Sequence, residues 1–566
     1  MKKFLILWKK YFVFAAVFSM FINLLHLTFP IYMLSIYDRV LTSYSMPTLM
    51  TITAGALFAY LVFACLDFLR SRLLVRAGIA IDETLSDTVL NEMLKDASRL
   101  IKTGSGSGLR DVNSLRNYFA GNTIFSLFDL PWAPIYLIII FFMNTTLGTV
   151  ALGGAVAIII LGISQEKLTK KGLDEANKKN MDVQRFINST MRNAEVTRCM
   201  GMLSGIRERW HLKNRAVIQQ QTKASHDAGM ISSMTKTLRM SMQVFIYGIG
   251  AYLVLKNEST PGIMIAASII MGRALAPVEQ VMATWKQTIE VRGSYQRLDQ
   301  LLQRAEKDEY MELPAPKGAL SVENALLVID GTRRLLNGVT FSLNAGESMG
   351  LIGPSAAGKS TLCRVLMGIW PAMHGTVRLD GADIFQWDKE RLGPYIGYLP
   401  QDVELFPGTV SENIARMGNV DPDKVVEAAK NAGVHEMILR LPQGYNTEIG
   451  EMGQMLSGGQ RQRIGLARAI YGLPKFVILD EPNSNLDDVG EQGLLRALQI
   501  LKENCSTVIM VTHKISMLAN MDKILLLKDG AVAMFGLRDD VFKALAPQQS
   551  PPPQKKITQT RTVPVV

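Results

Sequence analysis

The sequence predicts two regions of different fold class: an all-α membrane region with six spanning helices, and an α/β domain after it. Of the 566 residues, 48% are hydrophobic and 20% are charged, and the mean hydropathy is +0.15. The apolar runs are concentrated before Trp285. From Leu320 onward, short strand-like runs alternate with helices, and one run is followed by the phosphate-binding pattern G-x-x-x-x-G-K-[ST].

Six apolar segments in the first region approach the ~20 residues that a helix needs to cross a bilayer. The first follows several lysines but is too long for a secretion signal, so we expect a retained helix. The segments are Tyr11 to Tyr37, Pro47 to Leu69, Phe119 to Met143, Leu147 to Ser164, Gly229 to Leu255 and Pro261 to Trp285.

The basic residues predict the orientation of these spans. Lys and Arg are frequent between spans two and three and between spans four and five, whereas the loops on the other side contain only Arg39. Basic loops stay in the cytoplasm, so both termini and the nucleotide-binding domain are expected there. The same bias accounts for most of the net charge of +11. No zinc-finger, RNA-binding or helix-turn-helix pattern is present, and no nucleic-acid partner is predicted.

The two long loops have helical periodicity and are expected to reach a cytoplasmic domain. The first, Ser71 to Tyr118, is interrupted by a polar turn at Thr103 to Gly108, and the second, Lys167 to Ala228, by a turn near Met200 to Ile206. The predicted domain boundaries are 1–304 for the membrane region, 305–318 for a linker and 319–546 for the nucleotide-binding domain. Residues 547–566 are predicted to be a disordered tail rich in proline and glutamine.

The alternation of strands and helices in the second region predicts an α/β domain with a largely parallel central sheet. The predicted strands are Val339 to Leu343, Ser348 to Ile352, Thr376 to Leu379, Phe476 to Leu479, Thr507 to Val511 and Lys523 to Leu527.

The phosphate-binding pattern follows the second of these strands. Glycines let backbone N–H groups turn toward a phosphate, and a helix that begins at about Lys359 directs its positive end toward the same anion. Lys359 is expected to reach the β- and γ-phosphates, and Ser360 to bind Mg²⁺. The alternative is an ordinary glycine turn. The predicted contacts are Gly353, Pro354, Ser355, Ala356, Ala357, Gly358, Lys359, Ser360 and Thr361.

Two acidic residues follow the apolar run Phe476 to Leu479. Asp480 ends a predicted buried strand and is expected to hold Mg²⁺, while Glu481 is expected to activate the attacking water. A solvated acidic turn is the alternative.

The string Leu456 to Gln460, LSGGQ, forms a second predicted anion-binding turn, at Ser457, Gly458, Gly459 and Gln460. One nucleotide does not readily use both turns of the same chain. A head-to-tail pair of domains, and hence a homodimer, is therefore predicted.

With these motifs, the chain resembles an ATP-binding cassette (ABC) exporter, with six spans fused to one cassette. The resemblance implies that Gln401 senses the γ-phosphate and Mg²⁺, that Asp487 lines the dimer seam and that His513 contacts the γ-phosphate. Thr447 to Gly453 resembles the exporter segment that meets the long loops. One departure is the absence of an aromatic residue near Ile329, where adenine usually stacks, which implies aliphatic contact or a neighbouring residue in that place.

Four strings also resemble type I secretion ATPases that export proteases and similar polypeptides. This implies ATP-driven export of unfolded polypeptides across a bacterial inner membrane, with a periplasmic adaptor and an outer-membrane channel as partners. No N-terminal peptidase domain is expected before the first span. An exporter of lipids, drugs or other small molecules remains the alternative, whereas six spans exclude a soluble DNA-repair ATPase. The strings are Pro30 to Leu41, Phe128 to Leu137, Ala266 to Gln280 and Leu399 to Arg416.

Ionisable residues within the spans are candidates for the cargo path, because charges in a bilayer usually face a cavity or one another. Both outcomes remain open here. We hypothesise that Arg239 and Arg273 face an enclosed, hydrated passage. The other such residues are Asp67, Asp129 and Glu279.

Overall fold

The computed structural model describes residues 2–98, 108–305, 313–329, 333–450 and 453–545. These residues form two compact units, one made of 2–97 and 108–305 and the other within 313–545. We call them the membrane unit and the cassette. The predicted tail, 547–566, and residues 306–312 of the predicted linker lie outside the described residues.

All the secondary-structure elements among the described residues of the membrane unit are helices. A π-helical turn (Ile36–Val40) precedes α3, and a 3₁₀ turn (Leu130–Trp132) precedes α7. The α-helices are α1 Lys2–Leu25, α2 Thr28–Ser35, α3 Leu41–Ser43, α4 Met46–Ser98, α5 Gly108–Ala120, α6 Asn122–Asp129, α7 Ala133–Met143, α8 Thr145–Arg192, α9 Ala194–Cys199, α10 Leu203–Leu255, α11 Pro261–Ala283 and α12 Trp285–Ala305.

Six helical segments among the described residues are long and apolar enough to cross a membrane, which confirms the predicted number. Local sequence sets where several begin: Asn144 accepts hydrogen bonds from the first turn of α8, and Thr260 does so for α11, which has proline at its first position. The segments are Trp8–Ser43, Met46–Ser98, Thr123–Met143, Thr145–Arg192, Leu203–Leu255 and Pro261–Ala283.

Three of these helices are much longer than a bilayer requires. Helix α4 has 53 residues and is therefore about 80 Å long, against a hydrocarbon core of ~30 Å. Helix α5 packs back on it through one apolar cluster. Helices α8 and α10 pack together, and the chain turns between them at 200–202, as predicted. The predicted turn at Thr103 to Gly108 lies outside the described residues, except for Gly108, where α5 begins.

Three ion pairs include most of the ionisable residues predicted in the spans. Arg239 Nε lies 2.8 Å from Glu279 Oε1. Arg70, which is buried, contacts Asp67 Oδ1 at 2.8 Å and Asp129 Oδ1 at 3.3 Å. The carboxylate of Asp129 also accepts a hydrogen bond from Asn23.

Arg273 differs from these residues, because it is exposed on the single chain. Of the two arginines predicted to face a passage, Arg239 therefore forms an ion pair within the unit. Arg273 stays a candidate for lining the passage.

The cassette contains two sheets with surrounding helices. Its helices are α13 Lys359–Leu366, α14 Lys389–Leu392, α15 Val410–Ile414, α16 Pro422–Asn431, α17 His435–Leu439, α18 Gly458–Ile470, α19 Asp488–Glu503, α20 Ile515–Leu518 and α21 Arg538–Leu545. Its strands are β1 Leu320–Ile329, β2 Arg333–Leu343, β3 Ser348–Ile352, β4 His374–Leu379, β5 Ala382–Asp383, β6 Ile396–Leu399, β7 Phe476–Asp480, β8 Thr507–Val511, β9 Lys523–Lys528 and β10 Ala531–Leu537.

The larger sheet has six strands in the order β10-β9-β3-β8-β7-β6, and all its neighbouring pairs are parallel except β10 with β9. Every residue of β7 and β8 is buried, as expected for central strands covered on both faces. The largely parallel sheet is thus confirmed, and β3 and β8 have the predicted bounds.

The prediction placed two strands in the wrong sheet. Val339 to Leu343 and Thr376 to Leu379 belong to β2 and β4, which form a separate antiparallel sheet in the order β2-β1-β4-β5. Both runs alternate buried and more exposed residues, which is typical of a sheet that is covered on one face.

Candidate nucleotide site

Four adjacent parallel strands of the larger sheet end at the same edge, and each is followed by a predicted site residue. The phosphate-binding loop follows β3, His513 follows β8, Asp480 ends β7 with Glu481 next, and Gln401 follows β6. Ligands of open α/β sheets bind at the carboxyl ends of the strands. The topology therefore brings together residues that are up to 160 positions apart (353 and 513) in the sequence.

The phosphate-binding loop is closely packed at its two fixed glycines. A Cβ on Gly353 would lie 2.2 Å from the Leu527 carbonyl oxygen, and Gly358 has a φ of 98°, so neither position suits another residue. Helix α13 begins at Lys359, as predicted. The buried Lys359 ammonium donates to the carbonyl oxygens of Gly353 at 2.8 Å and Pro354 at 3.1 Å, which keeps the cation within the loop.

Ala356 is a residue of the loop other than glycine that has a positive φ. Its φ of 63° lies in the left-handed region, which costs an alanine about 1–2 kcal/mol. The loop therefore tolerates alanine here at a cost in strain.

Asp480 is a buried carboxylate with unused bonding capacity. It is 2% exposed, and among the described residues its Oδ1 has no hydrogen-bond partner. Burial raises the pKa of Asp480, while a hydrogen bond from Ser360 acts in the opposite direction. A buried carboxylate beside a serine hydroxyl is an oxygen donor set of the kind that Mg²⁺ binds, so these residues fit the predicted metal.

Glu481 lies among the other residues of this edge. Its backbone N–H donates to the Val511 carbonyl oxygen at 3.1 Å, which holds the residue beside the end of β8. Gln401 Nε2 donates to Glu481 Oε2 at 3.2 Å. His513 Nε2 lies 3.7 Å from Glu481 Oε1. Two other predicted site residues, Gln401 and His513, therefore lie beside the Glu481 carboxylate.

The LSGGQ string forms a separate group of residues. Ser457 caps α18: its hydroxyl accepts from the backbone N–H of Gln460, whose side chain accepts from the backbone N–H of Ser457. Asp487 caps α19: its Oδ1 accepts a hydrogen bond from the backbone N–H of Gly490. The same oxygen lies 3.8 Å from Nη1 of Arg463. Within the described part of the chain, no hydrogen bond or ion pair joins Ser457 to Gln460 with the phosphate-binding loop.

Comparisons with known proteins match both units. The ABC transporter model matches residues 336–484, and the ABC transporter transmembrane region model matches residues 12–277. The Type I secretion system ATP-binding protein PrsD of Rhizobium meliloti (strain 1021) is 40% identical over 536 residues, which is 94% of this chain and 92% of PrsD. The chain belongs to the ABC transporter family. It is therefore an ATP hydrolase with a multi-pass membrane domain.

Two further relatives of this ABC transporter agree with that assignment. The Leukotoxin translocation ATP-binding protein LktB of Mannheimia haemolytica is 27% identical over 95% of this chain and 77% of LktB. The solved structure of a bacterial Atm1-family ABC exporter with ATP bound matches with a TM-score of 0.79, 22% identity and coverage of 95% and 96%. This likeness confirms the exporter fold.

For two predicted features of this ABC transporter, the adenine contact near Ile329 and the segment Thr447 to Gly453, the structure describes only some of the residues. Ile329 ends β1 and pairs with Arg333, and residues 330–332 between them lie outside the described residues. In Thr447 to Gly453, Glu448 pairs with Thr409, and residues 451–452 lie outside. The roles given to these residues stay predictions.

One residue of this site was missed by the sequence prediction. Gln462 belongs to α18 and is 1% exposed, and its amide contacts the segment that follows Asp480. A glutamine between two arginines in a helix predicts a solvated position, so the sequence contains no signal for this contact.

Proposed function

We propose that this ABC transporter is the ATPase/permease of a type I secretion system and exports unfolded polypeptides across a bacterial inner membrane as a homodimer. The supporting observation is the similarity to PrsD, a Type I secretion system ATP-binding protein, over 94% of the chain. Because this similarity includes the membrane unit, it bears on cargo as well as on the ATPase. A periplasmic adaptor and an outer-membrane channel would be its partners.

At the edge of the larger sheet, each residue has a proposed role in ATP hydrolysis. The loop from Gly353 to Thr361 binds the phosphates, with Lys359 against the β- and γ-phosphates. Ser360, Gln401 and Asp480 would hold Mg²⁺, which neutralises phosphate charge when bound.

Glu481 is the proposed general base. Its carboxylate lies close to Gln401 and His513, the two residues proposed to be near the γ-phosphate. A water beside that phosphate would therefore be close enough to give its proton to Glu481. His513 would contact the γ-phosphate directly.

A second copy of the chain would complete each site. Ser457, Gly458, Gly459, Gln460 and Asp487 of that copy would bind the same ATP and line the seam between the cassettes. The exposed position of Ser457 at the start of α18 supports this proposal, because a helix N-terminus that faces outward is available to an anion from another chain.

The membrane unit would enclose a hydrated passage with the cassette and both termini in the cytoplasm. A polypeptide in transit has polar backbone groups that hydrocarbon leaves unsatisfied, at several kcal/mol for each group. Arg273 is exposed on the single chain and would line the passage, because a charge that faced lipid would be costly. Arg239 is paired with Glu279 and would contribute less charge to it.

Cargo stimulation of the ATPase tests this function. The dimer is reconstituted in proteoliposomes and given an unfolded segment of a secreted protein encoded beside the transporter, with the folded form of the same protein as the control. We expect the unfolded segment to change ATP turnover, and the folded form, lipids and typical drugs to leave it unchanged. A response to lipids or drugs alone would contradict polypeptide export and favour a small-molecule exporter.

Cysteine labelling tests the passage. Cys65, Cys199, Cys363 and Cys505 are first replaced, and Arg273→Cys is compared with Leu57→Cys, at an exposed apolar position of α4. A water-soluble thiol reagent should label position 273 in at least one of the resting, ATP-bound and cargo-bound states, and should not label position 57. An unreactive thiol at 273 in all three states would remove Arg273 from the passage.

A further inference from the structure

The turn at residues 481–485, which follows β7, begins with an uncommon backbone conformation at Glu481. Glu481 has a φ of 49°, and residues other than glycine stay in this left-handed region only when their surroundings hold them there. Within the turn, the backbone N–H of Ser484 donates to the Glu481 carbonyl oxygen at 3.2 Å. The direction of the Glu481 carboxylate therefore depends on what fixes this turn.

One buried side chain from another element contacts most of the turn. The Gln462 amide nitrogen donates to the carbonyl oxygens of Glu481 at 3.2 Å and Pro482 at 3.0 Å. Its amide oxygen accepts from Asn485 Nδ2 at 3.2 Å, with Ser484 Oγ at 3.5 Å. An amide has two N–H donors and one acceptor oxygen, so Gln462 directs both ends of its side chain toward this turn.

The same turn contacts the start of α18, where the LSGGQ string lies. A Cβ on Gly459 would be 2.7 Å from the Asn485 carbonyl oxygen, so the backbone of the string lies directly against the turn. On the other side, the Thr512 hydroxyl donates to Asn483 Oδ1 at 3.1 Å, and His513 follows Thr512. The turn is thus held between α18 and the end of β8.

We propose that Gln462 is a positioning residue for ATP hydrolysis, which fixes Glu481 from the helix that carries the LSGGQ string of the same subunit. This inference rests on the proposed role of Glu481 as the base. In the proposed dimer, the LSGGQ string of one subunit binds the ATP of its partner, while Glu481 acts on the ATP of its own subunit. Gln462 therefore transmits a movement of α18 at one ATP site to the base at the other.

The first test replaces the amide by an apolar side chain of similar length in the full-length dimer. Gln462→Met should lower kcat by roughly ten- to a hundredfold, the range expected when a catalytic group is misplaced by up to ~1 Å. The KM for ATP should stay within about twofold of wild type, since no proposed ATP contact is removed. The Tm should fall only moderately, because the lost hydrogen bonds of one buried side chain cost about 1–3 kcal/mol. The matched control is Gln499→Met, at an exposed glutamine of α19, which should leave kcat unchanged.

Two results would overturn the positioning role. The first is an unchanged kcat. The second is a fall in kcat that is accompanied by lost ATP binding or by a large fall in Tm, because a purely structural role predicts that combination.

The second test uses mixed dimers to show which base Gln462 serves. Gln462→Met and Glu481→Gln are placed on the same subunit or on different subunits. On the same subunit, turnover should equal that of a dimer with Glu481→Gln alone on one subunit, because the other subunit keeps both residues. On different subunits, turnover should be lower by a further ten- to a hundredfold. Equal turnover in the two arrangements would overturn the inference.

A separate result would address the base itself. Near-normal turnover by the homodimer with Glu481→Gln alone would remove Glu481 from its proposed role. That dimer retains Gln462, so this failure is distinguishable from failure of the inference about Gln462.

Discussion

The membrane unit and the cassette differ in how two sets of charged side chains are partnered. In the membrane unit, Arg70 lies between two carboxylates and Arg239 pairs with Glu279. In the cassette, Asp480 is buried with an oxygen atom that has no partner among the described residues. Ser360 donates a hydrogen bond to this carboxylate, but no ion pair among the described residues includes it, and such burial is costly. That cost is consistent with the metal-binding role proposed for Asp480. Helix packing accounts for the ion pairs of the spans, whereas the position of Asp480 is the one expected of the proposed site.

The largest expected effect is a loss of ATP turnover when Glu481, at the carboxyl edge of the larger sheet, is replaced. Glu481→Gln should lower ATP turnover by ~10² to 10⁴, the usual contribution of a positioned base, and should retain ATP binding in a closed dimer. Steady-state hydrolysis and nucleotide binding by the purified dimer provide the measurement. Glu427→Gln, at an exposed position of α16, is the matched control and should hydrolyse ATP normally.

A second prediction concerns the paired charges of the membrane unit. Arg70→Met leaves two carboxylates without their partner and should destabilise the protein by about 3 kcal/mol, the lower end of the range for breaking a buried ion pair. Thermal unfolding in detergent measures this loss, and adding Asp129→Asn should recover part of it. Arg72→Met, at an exposed position of the same helix, should change stability by less than ~0.5 kcal/mol. An equal effect of both variants would show that Arg70 pairing is not structural.

Replacing Asp480 is expected to raise the stability of the protein, by less than the loss of Arg70 lowers it. Because burial raises the pKa of Asp480 above 3.8, its ionisation costs folding free energy, and that cost grows as the pH rises from below 3.8 through the folded pKa. Asp480→Asn should therefore stabilise the nucleotide-free protein at neutral pH by about 1 kcal/mol while abolishing hydrolysis. The gain in Tm should shrink as the pH is lowered toward 4. A loss of stability at pH 7 would contradict the description of Asp480 as an acid whose ionised form is destabilised by burial.

The sequence predicted most of the proposed catalytic edge, because its motifs are local. A glycine pattern after a strand and an acid at the end of an apolar run each include, in a few consecutive residues, the strand that positions them. The six spans were predictable for the same reason: a bilayer demands ~20 apolar residues in a row. The sequence did not predict the order of the strands, which brings His513 and Gln401 to Glu481. These two residues were included in the site only because of the family resemblance.

Contacts between distant segments were not predictable. The partners of Arg70 lie on its own helix and on α6, and no periodicity in α4 reveals the second. Gln462 is buried by the turn after β7, although its sequence neighbours are charged. The strands β2 and β4 were assigned to the wrong sheet, because a single run does not state which sheet it joins.

The central claim is that each ATP site takes its phosphate-binding loop from one subunit and its LSGGQ string from the other. Mixed dimers that carry Lys359→Ala and Ser457→Arg test it most directly, with ATP hydrolysis as the measurement. When the two changes are on different subunits, one site keeps both of its parts, and the dimer should hydrolyse ATP. When both changes are on one subunit, neither site is whole, and turnover should fall to the level of the homodimers with either change alone. Equal hydrolysis by the two arrangements would contradict the shared site.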